Sequence, residues 1–312
     1  MISFVCFFSS YRKALTEIDR LLKKQSNFTA CKALKCLVLL KLDRPDEARS
    51  LANELEALAA SSTRTAPPGD ASNVDENTLT FLAQYYKDLR EYHKVFSLYE
   101  SAIKREPTSE ELLCSLFMAY VRVKDYKNQV LIAQKLYKQT RKIPYHNWAV
   151  ISVLLQIDEN SQQLKQTLYI PMTLKMLEKE FFDENLQQTK LFGEIECLLY
   201  LYTLELKEDF LKALQFVTKH VDALTKSPSN ESMLPVYFAH EKFLIYNYKN
   251  SNFEKTYELA KEYLKEDNYL WNWYEVLFDT FFRFDETKQQ ELVEDLHQFI
   301  LSKYEKKNKE TV

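Results

Sequence analysis

The sequence predicts an all-α fold of stacked antiparallel helix pairs. Three observations carry that prediction: the 312 residues hold only two glycines, Gly69 and Gly193; apolar residues recur at helical spacing; and the pattern repeats every 34 residues. Tight hairpin turns depend on Gly, so a sandwich or barrel of many short strands is excluded. Nucleotide-binding loops are excluded as well, because no GxG can be written in this chain. Hydrophobic residues at 46% are enough for a core, and charged residues at 28% suit a water-facing surface.

Residues 1–8 are apolar but short and lack a basic segment before them, so no signal peptide is expected. A first helix pair is predicted over residues 29–60, with Ala48, Ala52 and Leu55 on one face of its second helix. The next begins at residue 76, a step of 47 residues, or 13 more than the period. Residues 61–74, rich in Ser, Thr and Pro and containing Gly69, account for that surplus as a flexible surface insertion.

Residues 76–109 and 110–143 superimpose without a gap. Leu79, Leu82, Ala83 and Tyr86 in one match Leu113, Leu116, Phe117 and Tyr120 in the other, each quartet spaced i, i+3, i+4, i+7 on one helix face. Second helices follow, marked by Val95, Tyr99, Ala102 and Ile103, then by Val130, Ala133, Leu136 and Tyr137. Pro107 closes the first of these pairs. Thr108 or Ser109 caps the next helix, and Glu110 and Glu111 sit at the positive end of its dipole. A further helix starts near Pro144, with Val150, Ile151 and Leu154 facing inward. Beyond Gln156 the period is lost, although helix pairs are predicted around residues 193–224 and 234–264, and an aromatic helix runs through Trp273, Leu277, Phe281 and Phe282. Residues 303–312 are charged and expected to fray. The whole of residues 1–312 reads as one domain, with degenerate helix pairs over 144–285.

A helix pair every 34 residues, with aromatic and small residues in packing slots and a late Pro, resembles the tetratricopeptide repeat. The resemblance implies a tetratricopeptide-like α-solenoid, a superhelix whose first helices line a groove. Such grooves in chaperone cofactors clamp carboxylates with Lys, Asn and Arg. The corresponding slots here, Ala33, Leu37, Phe81, Glu111 and Ser115, offer no cation. The groove is instead mixed and apolar: Cys114, Met118, Val121, Tyr145 and Trp148, with Arg122 and Ser152 beside them. Met118, Arg122, Tyr145, Trp148 and Ser152 are therefore the candidate partner-binding residues, with aromatic Tyr145 and Trp148 as the expected anchors.

No catalytic constellation is present in the sequence. The five histidines are scattered without HExxH, and five cysteines form no CxxC, which fits a reduced, cytoplasmic compartment. Ser10 and Lys13 satisfy SxxK by chance, since no companion motif follows. No metal or cofactor site is expected, and no stretch reaches the roughly 20 apolar residues of a membrane span. Net charge is −3, but residues 1–150 carry 23 Lys+Arg against 17 Asp+Glu, leaving the other half acidic. That basic half is a candidate for a ribosomal contact through phosphate neutralisation. No basic run exceeds two residues, so sequence-specific nucleic-acid binding is not expected.

A more specific match follows from residues outside the repeat consensus. The segment Leu98-Tyr99-Glu100-Ser101-Ala102-Ile103-Lys104 with Pro107, then Ser109-Glu110-Glu111 and the run from Leu116 to Val123, resembles the auxiliary subunit of the NatB N-terminal acetyltransferase. So do Leu21-Leu22-Lys23-Lys24, Ala33-Leu34-Lys35, Glu47-Ala48, Pro144-Tyr145 with Trp148, and Phe278-Asp279 with Phe282-Arg283. The similarity covers about residues 14–285 and is strongest over 95–150; the family's subunit continues well past the length of this chain. The resemblance implies a non-catalytic scaffold that wraps a GNAT-fold catalytic subunit and helps bring it to the ribosome. The pair acetylates nascent chains beginning Met-Asp, Met-Glu, Met-Asn or Met-Gln. A peptide-binding tetratricopeptide adaptor and a NatA-type auxiliary subunit remain the alternatives. The scarcity of glycine agrees with the scaffold role, because a GNAT fold grips acetyl-CoA with a Gly-containing turn.

Overall fold

The computed structural model describes residues 2–61, 75–157, 162–182, 193–226, 236–265 and 271–310. Helices make up the ordered elements, and no β-strand is found among the described residues. The chain divides into two compact units, residues 1–156 and 157–312.

The first unit opens with α1 (Ile2–Lys24) and continues with the pairs α2/α3 (Thr29–Lys41, Pro45–Ser61), α4/α5 (Glu76–Asp88, Tyr92–Arg105) and α6/α7 (Glu110–Arg122, Tyr126–Thr140), ending in α8 (Ile143–Leu155). The expected flexible insertion falls on residues 62–74, which lie outside the described residues. The sequence explains the helix starts. Asp75, Ser109 and Asp125 each accept a hydrogen bond from the backbone N–H three residues on, at 2.8, 3.3 and 3.2 Å, meeting donors the helix itself leaves open. The predicted quartets point inward: Leu82, Ala83, Leu113, Val95 and Leu136 are fully buried and belong, with their neighbours, to a core shared by successive pairs, and Ala133 is fully buried as well. Full burial of a Leu side chain is worth about 1.5–3 kcal/mol, so each pair is held chiefly by its neighbours. Ile151 departs from expectation: it is 38% exposed, because Val150, Val153 and Leu154 take the inward face of α8.

The second unit begins with α9 (Gln162–Leu164), a π-helical turn at Lys165–Tyr169 and α10 (Ile170–Phe181). The turn has a local cause. Pro171 carries no N–H, and its ring would meet the carbonyl of Thr167 in an unbroken α-helix. The widened turn, in which Ile170 N–H reaches back to Lys165 O, moves that carbonyl aside. The pairs α11/α12 (Glu194–Lys207, Phe210–Lys226), α13/α14 (Val236–Lys249, Phe253–Lys265) and α15/α16 (Trp271–Arg283, Glu286–Glu310) follow. Gly193 is the N-cap of α11, where its N–H donates to Glu196 Oε2 at 2.8 Å. The charged tail, expected to fray from residue 303, is helical as far as Glu310 in α16; its anchor upstream is the Leu292, Leu296 and Phe299 stripe packed with Trp273 and Leu277.

Both units use the same turn between the two helices of a pair. Asp43, Arg90, Lys124, Glu208 and Ser251 occupy the left-handed region, with φ between 58° and 62°. The next residue's N–H then reaches back five positions: Arg44 to Leu39 O, Glu91 to Tyr86 O, Asp125 to Tyr120 O, Asp209 to Leu204 O and Asn252 to Asn247 O, at 2.9–3.1 Å. This arrangement closes a helix end by satisfying its last carbonyls. Gly is the usual residue there, and each of these five substitutes carries a backbone cost of about 1–2 kcal/mol.

Tyrosine hydroxyls on carboxylates tie neighbouring helices together in each unit. Tyr120 donates to Glu100 at 3.1 Å in the first. In the second, Tyr200 donates to Glu178 at 3.3 Å, Tyr246 to Glu205 at 2.7 Å and Tyr257 to Asp295 at 3.2 Å. Each of these last three carboxylates also takes a lysine: Lys212, Lys242 and Lys261 respectively.

Candidate partner-binding face

The candidate residues lie on α6 and α8, first helices of successive repeats. Trp148 is half-buried and stacks on Phe117 with ring centroids 4.5 Å apart and planes 12° from parallel. Tyr145 meets Trp148 edge-on at 5.0 Å. Its own ring is buried, its hydroxyl donates to the Glu110 carboxylate, and Cys114 Sγ donates to it at 3.4 Å. Lys142 Nζ lies 2.7 Å from the same carboxylate. Those two donors, lysine first, hold the Glu110 carboxyl below its ordinary range, whereas burial and the neighbouring Cys114 and Glu110 push the Tyr145 hydroxyl up.

Ser152 is also buried. Its hydroxyl lies 2.7 Å from Trp148 O and 3.1 Å from Gln129 Oε1, while Gln129 Nε2 donates to Tyr120 O at 3.2 Å. Gln129 is itself buried, so α6, α7 and α8 are joined through one polar chain inside the core.

Met118 and Arg122 remain on the surface, Met118 at 46% exposure, together with Val121 on α6 and Ile151 and Leu155 on α8. The structure thus brings Tyr145 and Trp148 together against Phe117, leaves Met118 and Arg122 accessible, and seals Tyr145 and Ser152 beneath. Sequence reasoning missed Ile151 and Leu155; their spacing from Trp148, i+3 and i+7, is the signal that would have placed them on its face. Lys87 on α4 adds an electrostatic feature: burial, then the Arg122 charge, lowers its ammonium below the ordinary lysine range. Two cations near each other beside exposed apolar residues form a surface that a partner's carboxylate would complete.

Among the described residues no group of three His, Cys, Asp or Glu side chains could hold a metal ion, and no helix is long and apolar enough to cross a membrane. His146 and His240 pack on Tyr137 and Tyr263.

The helix pairs, their shared turn and their periodic core define a tetratricopeptide-type helical solenoid. More narrowly, the chain belongs to the family described as Psidin, N-terminal TPR repeats region, which it matches over residues 8–264. It is 33% identical over 266 residues, 84% of its length, to the phagocyte signaling-impaired protein of Drosophila pseudoobscura pseudoobscura. It is 30% identical over 87% of its length to the rat (Rattus norvegicus) N-alpha-acetyltransferase 25, NatB auxiliary subunit. These alignments cover 25% and 26% of the relatives, so the chain spans about a quarter of their length. Among solved structures, the Naa15/Naa10 complex bound to HypK-THB contains a chain that superimposes with a TM-score of 0.61 at 15% identity, over 95% of this chain and 41% of that one. That likeness shows the fold. The rat relative is a NatB auxiliary subunit, the family whose resemblance was read in the sequence.

Proposed function

We propose that this chain is a non-catalytic scaffold of a NatB-type N-terminal acetyltransferase, holding a GNAT-fold catalytic subunit that acetylates Met-Asp, Met-Glu, Met-Asn and Met-Gln N-termini in the cytoplasm. The observation that carries the reading is the alignment of NatB auxiliary subunits along 87% of the chain. The surface of α6 and α8 supports it: Met118, Val121, Arg122, Ile151 and Leu155 offer apolar side chains with a cation, half-buried Trp148 stacks on Phe117, and Tyr145 and Ser152 tie the helices through buried hydrogen bonds. In this proposal that face is a docking surface for the catalytic subunit, and residues 1–312 act as one repeat array. The decisive experiment is affinity purification of the chain from its own cells. Copurification of a GNAT-type acetyltransferase is expected, and its absence would remove the proposal. Depletion should lower acetylation of Met-Asp and Met-Glu N-termini; loss confined to other N-termini would favour a NatA-type role instead.

The basic balance of residues 1–150 supports a second contact, with the ribosome. Cosedimentation with ribosomes should weaken steeply between low and physiological salt, because neutralised phosphates release their counterions. Salt-independent or absent cosedimentation would count against it.

A further inference from the structure

Residues 20–42, from the end of α1 through α2, hold six lysines or arginines and no aspartate or glutamate. Four of the six are engaged: Arg20 with Glu17, Lys32 with Glu54, Lys35 with Asp19 and Lys41 with Asp88, at 2.6–3.8 Å. Lys23 and Lys24, in the last turn of α1, are exposed and have no ion pair among the described residues. Gln25, Ser26, Asn27 and Phe28 are exposed as well, so six consecutive residues meet water before buried Thr29 opens α2. The Ser26 hydroxyl makes no hydrogen bond among the described residues.

The order of these residues carries information. Ser26 has Lys24 two positions before it and Lys23 three before, and no other serine or threonine of the sequence has a cation at both places. Thr16, Ser97 and Thr108 each have one, at the third position. Thr16 and Ser97 lie inside α1 and α5, and Thr108 is flanked by Glu106, Glu110 and Glu111. Kinases that select basic substrates hold an extended segment whose cations, two and three residues before the acceptor hydroxyl, meet carboxylates of the cleft. The α1–α2 turn can supply that segment. Its backbone ties are Gln25 N–H to Leu21 O at 2.9 Å and Phe28 N–H to Gln25 O at 3.3 Å. Opening the last turn of α1 removes no buried side chain, because none of residues 23–28 is buried.

We propose that Ser26 is a phosphoacceptor for a kinase that selects basic substrates, with Lys23 and Lys24 as the recognition cations. Ser26 Oγ attacks the γ-phosphorus of Mg-ATP. The new Oγ–P bond forms as the bond from that phosphorus to the β–γ bridging oxygen breaks, and ADP leaves with the electron pair. The hydroxyl proton passes to the catalytic aspartate of the kinase. Local charge favours the product. The phosphate stands before α2, whose first turn has no acidic residue and whose N-cap Phe28 supplies no side-chain hydrogen bond. Its charge of about −1.5 to −2 offsets roughly a third of the positive charge of residues 20–42. A kinase that selects acidic substrates finds no carboxylate along that stretch. The site lies on the α1–α2 turn, apart from the α6 and α8 face, and does not depend on the acetyltransferase reading.

The test uses the purified full chain, Mg-ATP and two probe kinases. One is the catalytic subunit of cAMP-dependent protein kinase, which selects basic substrates; the other is an acidic-selective casein kinase. The first should phosphorylate the folded chain at Ser26, located by tandem mass spectrometry, and Ser26→Ala should abolish that signal. Lys23→Ala/Lys24→Ala should slow the initial rate about tenfold or more, whereas Lys23→Arg/Lys24→Arg should retain it. Circular dichroism checks folding, and Lys23→Gln/Lys24→Gln supplies the same comparison should the alanine pair disturb α1. Chain purified from its own cells with phosphatases inhibited should carry the same phosphopeptide. The proposal is overturned by any of four results: Ser26 left bare by the basic-selective kinase, faster modification of Ser26 by the casein kinase, a rate unchanged by removal of both lysine charges, or no phosphate at Ser26 in chain from cells. Copurification of an acetyltransferase with Ser26→Ala is scored separately, so a failure of either reading is seen by itself.

Discussion

Glu205 on α11 accepts hydrogen bonds from both Tyr246 and Lys242 on α13, at 2.7 and 2.6 Å through the same oxygen. Tyr246 is fully buried, and the lysine stands four residues before it on the same helix face. The carboxylate thus holds two donors of the next pair at once. Removing it would strand the buried hydroxyl, at a cost of about 1–3 kcal/mol. Glu205→Leu should lower the urea midpoint accordingly, and a Glu205→Gln/Tyr246→Phe double-mutant cycle should give a coupling of about 0.5–3 kcal/mol. Additive single effects would show that the contact carries no stability.

Alkaline pH should loosen the fold through its tyrosines. Burial first, and then the Glu100 hydrogen bond, raises Tyr120 to about 12, while burial and neighbouring carboxylates push Tyr200, Tyr246 and Tyr257 higher still. In the unfolded chain these groups ionise near the ordinary value of 10.0. The folded state therefore holds protons that the unfolded state has released. The stabilisation is complete below pH about 10 and is lost as pH rises through the folded values. The melting temperature should fall steeply between pH 10 and 11.5, with tyrosinate absorbance rising as unfolding proceeds. A flat melting temperature across that window would contradict the burial of these hydroxyls.

The turns offer a gain rather than a loss. Lys124 sits at φ 58°, exposed and without an ion pair among the described residues, so Lys124→Gly relieves backbone strain without removing a contact. Stability should rise by about 0.5–1 kcal/mol, read from the denaturant midpoint at unchanged slope. Gly193 should behave oppositely. A Cβ there would stand 2.7 Å from Glu196 Oε2, so Gly193→Ala displaces the capping carboxylate and is expected to cost about 0.5–2 kcal/mol.

Much of the fold was legible because a helix face writes itself at i, i+3, i+4 and i+7. Leu79, Leu82, Ala83 and Tyr86 are buried as that spacing requires, and so are their counterparts 34 residues on. Ser109 was legible as a cap for the same local reason. The Tyr246–Glu205 tie spans 41 positions and depends on how pairs stack, which periodicity along one helix does not encode. The candidate face was legible only in part. Met118 and Arg122 point outward as read, whereas Ser152 is taken by Gln129, 23 positions earlier on a different helix.

Those placements separate two kinds of substitution. Met118→Asp alters an exposed side chain and should change stability by less than about 0.5 kcal/mol while weakening capture of the catalytic subunit. Trp148→Ala removes a ring stacked on Phe117 and should cost about 2–4 kcal/mol, detectable by thermal melting before any partner is added. If Met118→Asp leaves capture unchanged in pull-downs, the docking face lies elsewhere.

The widened turn at Lys165–Tyr169 amounts to one surplus residue accommodated beside Pro171. A π turn takes in that residue, and beyond it Leu174 and Leu177 reach the core. Counting along the chain nevertheless falls one position out of step there. A deletion of one residue within 165–169, made together with Pro171→Ala, should restore an unbroken helix, which makes this stretch a slip of phase in the sequence and not a change of architecture.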